Sequence, residues 1–278
     1  MTPGLVLLCS YPKSGNTWLR FVLETIRNNG TPPEINKISI PNAASRAEHD
    51  DALDMETSDL DPAEVGAARA WVLQHRHRTE LTLLKAHDAN LAPPGVANSP
   101  FAAGSVDRAI YLVRDPRDVA VSCAIHFGIS FAETVANLCD DAFMIGRSMD
   151  HPNANVEQFI SSWSRHVESW LDTSDLPVRC IRYEDLLEDP LQAFAAAAAF
   201  AGLPSDAALV QRAVASSSFS SLSEAERNSG FRERHPAATA PFFRNGKAGE
   251  WRETMPATLA AEIARVHGPV MRRLGYPI

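Results

Sequence analysis

An apolar run, Leu5-Val6-Leu7-Leu8-Cys9, passes directly into Ser10-Tyr11-Pro12-Lys13-Ser14-Gly15-Asn16-Thr17-Trp18. The run has the length and composition of a buried strand. The turn formers that follow give way to Trp18, Leu19, Val22, Leu23 and Ile26 at helical spacing, so a helix is expected over 16–29, ended by Gly30 and Pro32-Pro33. A strand turning this tightly into a helix presents backbone N–H groups, a helix N-terminus and the Lys13 ammonium to an anion. Residues 11–18 are therefore expected to hold a phosphate- or sulfate-bearing ligand. The plainer alternative is an ordinary strand–turn–helix corner with a solvated lysine.

The rest of the chain alternates in the same way. Strands are expected over 81–85, 109–113 and 178–181. Helices are expected from Asp61-Pro62 to about His77, from Pro116 to about His126, and over 130–148, 155–171, 191–201 and 259–274. Residues 31–60, 88–107 and 216–250 read as irregular, the last as a functional loop. Alternating strands and helices predict an α/β fold, a central parallel sheet flanked by helices, in one domain spanning 1–278.

With 26 Lys and Arg against 34 Asp and Glu, the net charge of −8 argues against nucleic acid or an anionic membrane as partner. An anionic ligand must then be drawn by a local cluster of cations. The four cysteines, at 9, 123, 139 and 180, have no metal-ligand or disulfide-framework spacing, and Cys9, Cys123 and Cys180 are expected to be buried thiols. No metal site is expected. Neither a signal peptide nor a membrane span is legible, so a cytoplasmic protein is expected.

Lys13 precedes Gly15, whereas the nucleotide-kinase P-loop places its lysine after the second glycine. Two other segments support an anion site. Arg114-Asp115-Pro116-Arg117-Asp118-Val119-Ala120-Val121-Ser122 follows a strand, which puts Arg114 at the carboxyl edge where α/β sheets bind ligands. Phe243-Arg244-Asn245-Gly246-Lys247-Ala248-Gly249-Glu250-Trp251 is a basic turn whose glycines allow close backbone approach.

Together the three segments resemble the sulfotransferases of the cytosolic type that use 3′-phosphoadenosine 5′-phosphosulfate (PAPS). Tyr11 to Trp18 resembles Y-P-K-S-G-T-T-W except at Asn16; Arg114 to Ser122 matches R-[ND]-P-[KR]-D-V-A-V-S; Arg244 to Trp251 matches R-K-G-x-x-G-[DE]-W except at Asn245. The resemblance spans nearly the whole chain and implies the P-loop-like sulfotransferase fold. It also implies that Lys13, Ser14, Gly15, Asn16 and Thr17 hold the 5′-phosphosulfate and that Trp18 packs on adenine. Arg114, Ser122, Arg244, Asn245 and Gly246 would surround the 3′-phosphate. Tyr183, Ser217 and Phe219 would lie near the adenine, with Leu222 a weaker match. Whether Asn245, Lys247 or Arg232 completes the 3′-phosphate site stays open. Lys85-Ala86-His87 resembles the family's K-T-H, which implies catalytic roles for Lys85 and His87. The family's dimer motif is not recognisable after Trp251, and the oligomeric state is left open.

Sulfuryl transfer needs an in-line nucleophile, neutralised leaving oxygens and exclusion of water. His87 is expected to be the general base, Lys13 to stabilise the phosphate leaving group, releasing adenosine 3′,5′-bisphosphate (PAP), and Lys85 to steady the sulfuryl oxygens or orient His87. His126 and His166 are expected to be core or pocket-wall residues. The acceptor is expected to be a small molecule carrying a hydroxyl or amine. It is expected to be apolar or aromatic because Phe101, Phe127, Phe131, Phe143, Met144, Phe231, Phe242 and Phe243 populate the variable loops. The rival reading is an ATP-dependent small-molecule kinase on a related scaffold, and a binding protein without catalysis is a third.

Overall fold

The computed structural model describes residues 3–76, 79–101, 104–146, 153–172 and 175–278. Its first elements are β1 (Gly4–Ser10), α1 (Asn16–Arg27), α2 (Arg46–Leu53), α3 (Pro62–His75), β2 (Leu81–Ala86), β3 (Arg108–Val113) and α4 (Pro116–Phe127). The chain continues through α5 (Phe131–Cys139), β4 (Met144–Ile145), β5 (Gln158–Phe159), α6 (Trp163–Leu171) and β6 (Val178–Arg182). It ends with α7 (Tyr183–Glu188), α8 (Pro190–Ala201), α9 (Ala207–Ser216), α10 (Phe219–Ser229), α11 (Trp251–Thr254) and α12 (Ala257–Arg273).

The central sheet has the order β2-β1-β3-β6, and each of its pairings is parallel. Every residue of β1 is buried, because helices cover both of its faces. Leu5, Leu7 and Cys9 face one apolar cluster, with Val119 of α4, Val135 of α5, Trp163 of α6 and Ile263 of α12. Val6 and Leu8 face the other, with Leu19 and Val22 of α1, Phe194 of α8 and Val210 of α9. The α/β architecture expected from the sequence is thus present.

The register fixes the functional edge. Cys9 pairs with Ala86 on one side and Tyr111 on the other, and Val113 pairs with Arg182. The loops at 11–15, His87, Arg114 and Tyr183 therefore leave the sheet side by side. Because β2 and β3 lie on opposite sides of β1, the loop after β1 opens at the switch point of the sheet, where α/β folds leave a crevice.

Among the described residues, side-chain caps start six of the twelve α-helices. Asp61 and Glu64 form a capping box around Pro62, Ser130 and Glu133 another, and the Asp115 carboxylate accepts from the Arg117 amide. The helix expected over 130–148 instead stops at Cys139; His77 and residues 147–148 lie outside the described residues. The helix expected over 155–171 begins only at Trp163, since Gln158 and Phe159 pair with β4 and Ser161 takes a left-handed φ of 62°. Val156, Phe159 and Trp163 are all buried, so apolar spacing alone did not separate helix from extended chain here. Within the irregular segment expected at 216–250, residues 219–229 form α10, held by buried Leu222 and by Glu226, whose carboxylate accepts from the amides of Phe242 and Phe243. Cys9 and Cys123 are buried as expected, but Cys180 is exposed on edge strand β6. Among the described residues no helix is long and apolar enough to cross a membrane.

Candidate active site

A cavity of about 310 Å3 opens at this edge. Its wall includes Lys13, Gly15, Asn16, Thr17 and Trp18 from the loop after β1 and the start of α1, Lys85 of β2 with His87 just beyond it, Arg114 just beyond β3, and Ser122 of α4. Tyr183, Phe219, Arg244, Asn245 and Gly246 complete the set. Ser14 and Ser217 stand behind the wall; both are buried, with hydroxyls that have no hydrogen-bond partner among the described residues. Neither Arg232 nor Lys247, the two cations left open for the 3′-phosphate, belongs to the wall.

Arg114 ties the three motifs together. One terminal nitrogen donates to the Lys13 carbonyl at 3.3 Å, the other to the Lys247 carbonyl at 3.0 Å, and the guanidinium lies 4.5 Å from the Tyr183 ring centre. Its Nε is buried without a partner among the described residues. Asp118 is spent on the third motif, accepting from the Gly249 and Trp251 amides at 2.6 and 3.0 Å. Arg244 is paired through both terminal nitrogens with Glu250.

The loop after β1 is tightly wound, with Lys13 at φ 66° and Gly15 at φ 103°. No side chain caps α1, so its first amides have no side-chain partner. The Asn16 side chain reaches back, its Nδ2 donating to the Leu8 carbonyl at 2.8 Å, fixing loop to strand. Gly15 is needed on two counts. An alanine Cβ would lie 2.6 Å from Tyr183 Cδ2, and φ 103° suits few side chains. We expect Gly15→Ala to lower stability by about 2–6 kcal/mol, the sum of backbone strain and overpacking, which urea unfolding would measure. An unchanged midpoint would contradict that packing.

The Lys13 ammonium sits 3.6 Å from the Phe242 ring centre. Burial, with Lys85 and Arg114 nearby, brings its pKa down to about 7. Burial likewise lowers Lys85 to about 8, against the opposing charge of Glu233. Glu233 was not singled out in the sequence. Its carboxylate lies 2.6 Å from Arg20, 3.5 Å from Thr17 Oγ1 and 3.6 Å from Lys85 Nζ. Burial alone would raise its pKa, but Lys85 and Arg20 outweigh that and hold the group well below the usual carboxylate range. The signal available was Arg20 itself, an arginine set among apolar residues of α1 and therefore in need of an anion.

His87 Nδ1 lies 2.9 Å from the Ser10 carbonyl oxygen. A carbonyl only accepts, so Nδ1 carries the proton and Nε2 keeps the lone pair. Burial, then the charge of Lys85, holds the pKa well below its usual value, and the ring is neutral at pH 7. The turn behind it is anchored on three sides. His166 Nε2 donates to the His87 carbonyl at 3.0 Å, while its Nδ1 accepts from Tyr111 at 2.9 Å. Asp88 takes both terminal nitrogens of buried Arg69 at 2.8 Å. Trp170 Nε1 donates to the Asp88 carbonyl at 3.1 Å. His166 is thus fully buried, and His126 stands in the cavity wall.

Residues 3–275 match the sulfotransferase domain family. The chain is 27% identical over 283 residues to cytosolic sulfotransferase 16 of Arabidopsis thaliana, covering 94% of this chain and 74% of that one. It is 24% identical over 265 residues to sulfotransferase 1C2 of Rattus norvegicus, covering 90% and 77%. Among solved structures, retinol dehydratase in complex with androsterone and the inactive cofactor PAP shares the fold at a TM-score of 0.64 and 20% identity, covering 98% of this chain and 81% of that one.

Proposed function

Because this chain belongs to the sulfotransferase family, we propose that it moves the sulfuryl group of PAPS to a hydroxyl or amine of a small, apolar or aromatic acceptor, with His87 as general base. The observation that carries the reading is the meeting of three motifs at Arg114, which bonds the Lys13 and Lys247 carbonyls and lines the same cavity as His87. The residues suit the donor's anions. Uncapped α1 amides and Lys13 would receive the 5′-phosphosulfate, and Arg114 and Arg244 the 3′-phosphate. The unpartnered Ser14 and Ser217 hydroxyls and Arg114 Nε are donors still to be satisfied. Tyr183, Trp18 and Phe219 offer aromatic surface to adenine.

The acceptor hydroxyl attacks sulfur as its proton passes to His87 Nε2. The S–O bond to the 5′-phosphate breaks with its electron pair going to the phosphate oxygen, which the Lys13 ammonium stabilises. PAP then leaves as product. Lys85, between His87 and Glu233, steadies the sulfuryl oxygens. The kinase reading would require carboxylates free for magnesium beside the loop, and the two in the cavity wall, Glu233 and Glu250, are paired with Arg20 and Arg244. No observation favours it.

Thermal unfolding in EDTA tests the donor site. PAP at 100 times its dissociation constant should add about 2.7 kcal/mol of stability, whereas ADP, lacking the 3′-phosphate, should add much less at equal concentration. Arg244→Met should erase most of that preference, about 1.5–3 kcal/mol for a charge-assisted bond. Equal shifts with ADP and PAP would refute the 3′-phosphate assignment.

A further inference from the structure

Glu233 lies outside the three motifs, yet it stands in the cavity wall. Its backbone is pinned on both sides. Phe231 is buried, with the rings of Phe21 and Phe243 at 6.5 and 5.2 Å between centres. The Arg232 amide donates to Asn36 Oδ1 at 2.8 Å, and the Arg234 amide to the Phe231 carbonyl at 3.0 Å. Arg20 fixes the side chain. Its guanidinium is 2% exposed, and one terminal nitrogen donates both to Glu233 Oε2 at 2.6 Å and to Thr17 Oγ1 at 3.1 Å. The Glu233 side chain is itself 21% exposed, so the carboxylate is held in the wall without being sealed behind it.

The same oxygen stands 3.5 Å from Thr17 Oγ1 and 3.6 Å from Lys85 Nζ. Those two groups are the ones assigned above to the 5′-phosphosulfate and to the sulfuryl oxygens. A negative charge is thus built into the seat of a negative group, and the local charge count says what the seat fits. Arg20 and Lys85 bring two positive charges and Glu233 one negative, which leaves one positive. Arg232 donates instead to the Ile38 carbonyl at 3.3 Å and is not in the wall, His87 is neutral, and Lys13 is assigned to the phosphate oxygen that leaves. One positive charge balances a sulfuryl group, which carries one negative charge. A phosphoryl group of the same tetrahedral shape carries nearly two above its second pKa of about 6. It would set an unbalanced charge beside a fixed carboxylate, where little water screens it.

We propose that Glu233 is a specificity-determining residue for the donor: its carboxylate sets the charge of the seat, so that a singly charged sulfuryl group is accepted and a doubly charged phosphoryl group of the same shape is rejected. The inference rests on the sulfotransferase reading and deepens it, from which group the site holds to how it tells that group from its phosphorus counterpart. Shape and acceptor oxygens hardly separate the two, so hydrogen bonds from Thr17 and Lys85 serve both equally. The discrimination comes from repulsion of the unwanted ligand.

The test needs no acceptor. Calorimetry in EDTA at pH 7.5 compares PAPS with adenosine 3′-phosphate 5′-diphosphate, which carries a phosphoryl group where PAPS carries the sulfuryl group. Thermal stabilisation by PAP is the control for fold and donor site. The wild-type protein should bind PAPS about 10-fold or more tightly than the diphosphate. Glu233→Gln keeps an acceptor for Arg20 but removes the charge, and should lower that ratio about 10-fold, chiefly by tighter binding of the diphosphate. If this variant fails to fold, the wild type at pH 5.5 gives the second measurement. There the terminal phosphate takes up a proton, Glu233 stays ionised beside Lys85 and Arg20, and the ratio should shrink to about 1–3. Equal binding of the two ligands by the wild type, preference for the diphosphate, or a ratio that survives Glu233→Gln or pH 5.5 would overturn the charge selection alone. A wild type that binds neither PAP nor PAPS would overturn the sulfotransferase reading and this inference with it.

Discussion

His87→Asn should reduce kcat/KM by about 10²–10⁴-fold, the usual contribution of a positioned general base. Asparagine can keep the donor that His87 Nδ1 presents to the Ser10 carbonyl at 2.9 Å, so the loss would report the missing Nε2 lone pair and not a displaced turn. The pH profile adds a second readout. The imidazole must be neutral to accept a proton, and burial and Lys85 hold its pKa well below the usual value. The acid limb of kcat/KM for the donor, which reports the free protein, should therefore lie below about pH 6.5 and should vanish in the variant. A variant that retains both rate and acid limb would remove His87 from the chemistry, provided PAP still stabilises it.

Lys13→Met should lower kcat by about 10²–10³-fold, the cost of deleting one donor aimed at developing negative charge. Here too the free protein supplies a distinguishing signature. Lys13 has a pKa near 7 and Lys85 near 8, both lowered first by burial. Above those values the amines are neutral, and a bound phosphate favours the charged form. Binding PAP at pH 8 should then take up close to one proton at Lys13 and part of another at Lys85. Affinity should fall as pH rises from 7 to 9. Calorimetry in two buffers of different ionisation enthalpy would count the protons, and Lys13→Met should remove most of the uptake. Proton-neutral binding at pH 8 in the wild type would show that Lys13 does not meet the ligand's anion.

Gly15, Arg114 and Gly246 show why so much of the site was legible in the chain. Each answers a demand visible within a few residues: a left-handed turn at the two glycines and a place at the end of a strand for Arg114. Gly246, at φ 64°, would put a Cβ 2.4 Å from Phe219 Cδ2. The less legible parts depend on partners far along the chain. Glu233 meets Arg20 across 213 residues, and the amides of Phe242 and Phe243 hang on Glu226. Neither pairing has a period or spacing that a sequence displays. The same holds for 155–162, where buried Val156 and Phe159 fit a helical face equally well. The choice fell to the pairing with β4 and the turn at Ser161.

The sequence by itself determined the alternation of strands and helices, the tight strand-to-helix corner after β1 and the order of the three motifs, because hydrophobic period, capping and turn chemistry act within a few residues. Only the tertiary structure decided what faces what. The parallel register set four strand ends in one row, buried charges found their counter-charges wherever the packed chain offered them, and the cavity wall was assembled in part from segments near 42, 126, 158 and 242. Those outcomes follow from long-range packing and from the cost of burying an unpaired polar group, which depend on the whole fold and not on any window of it.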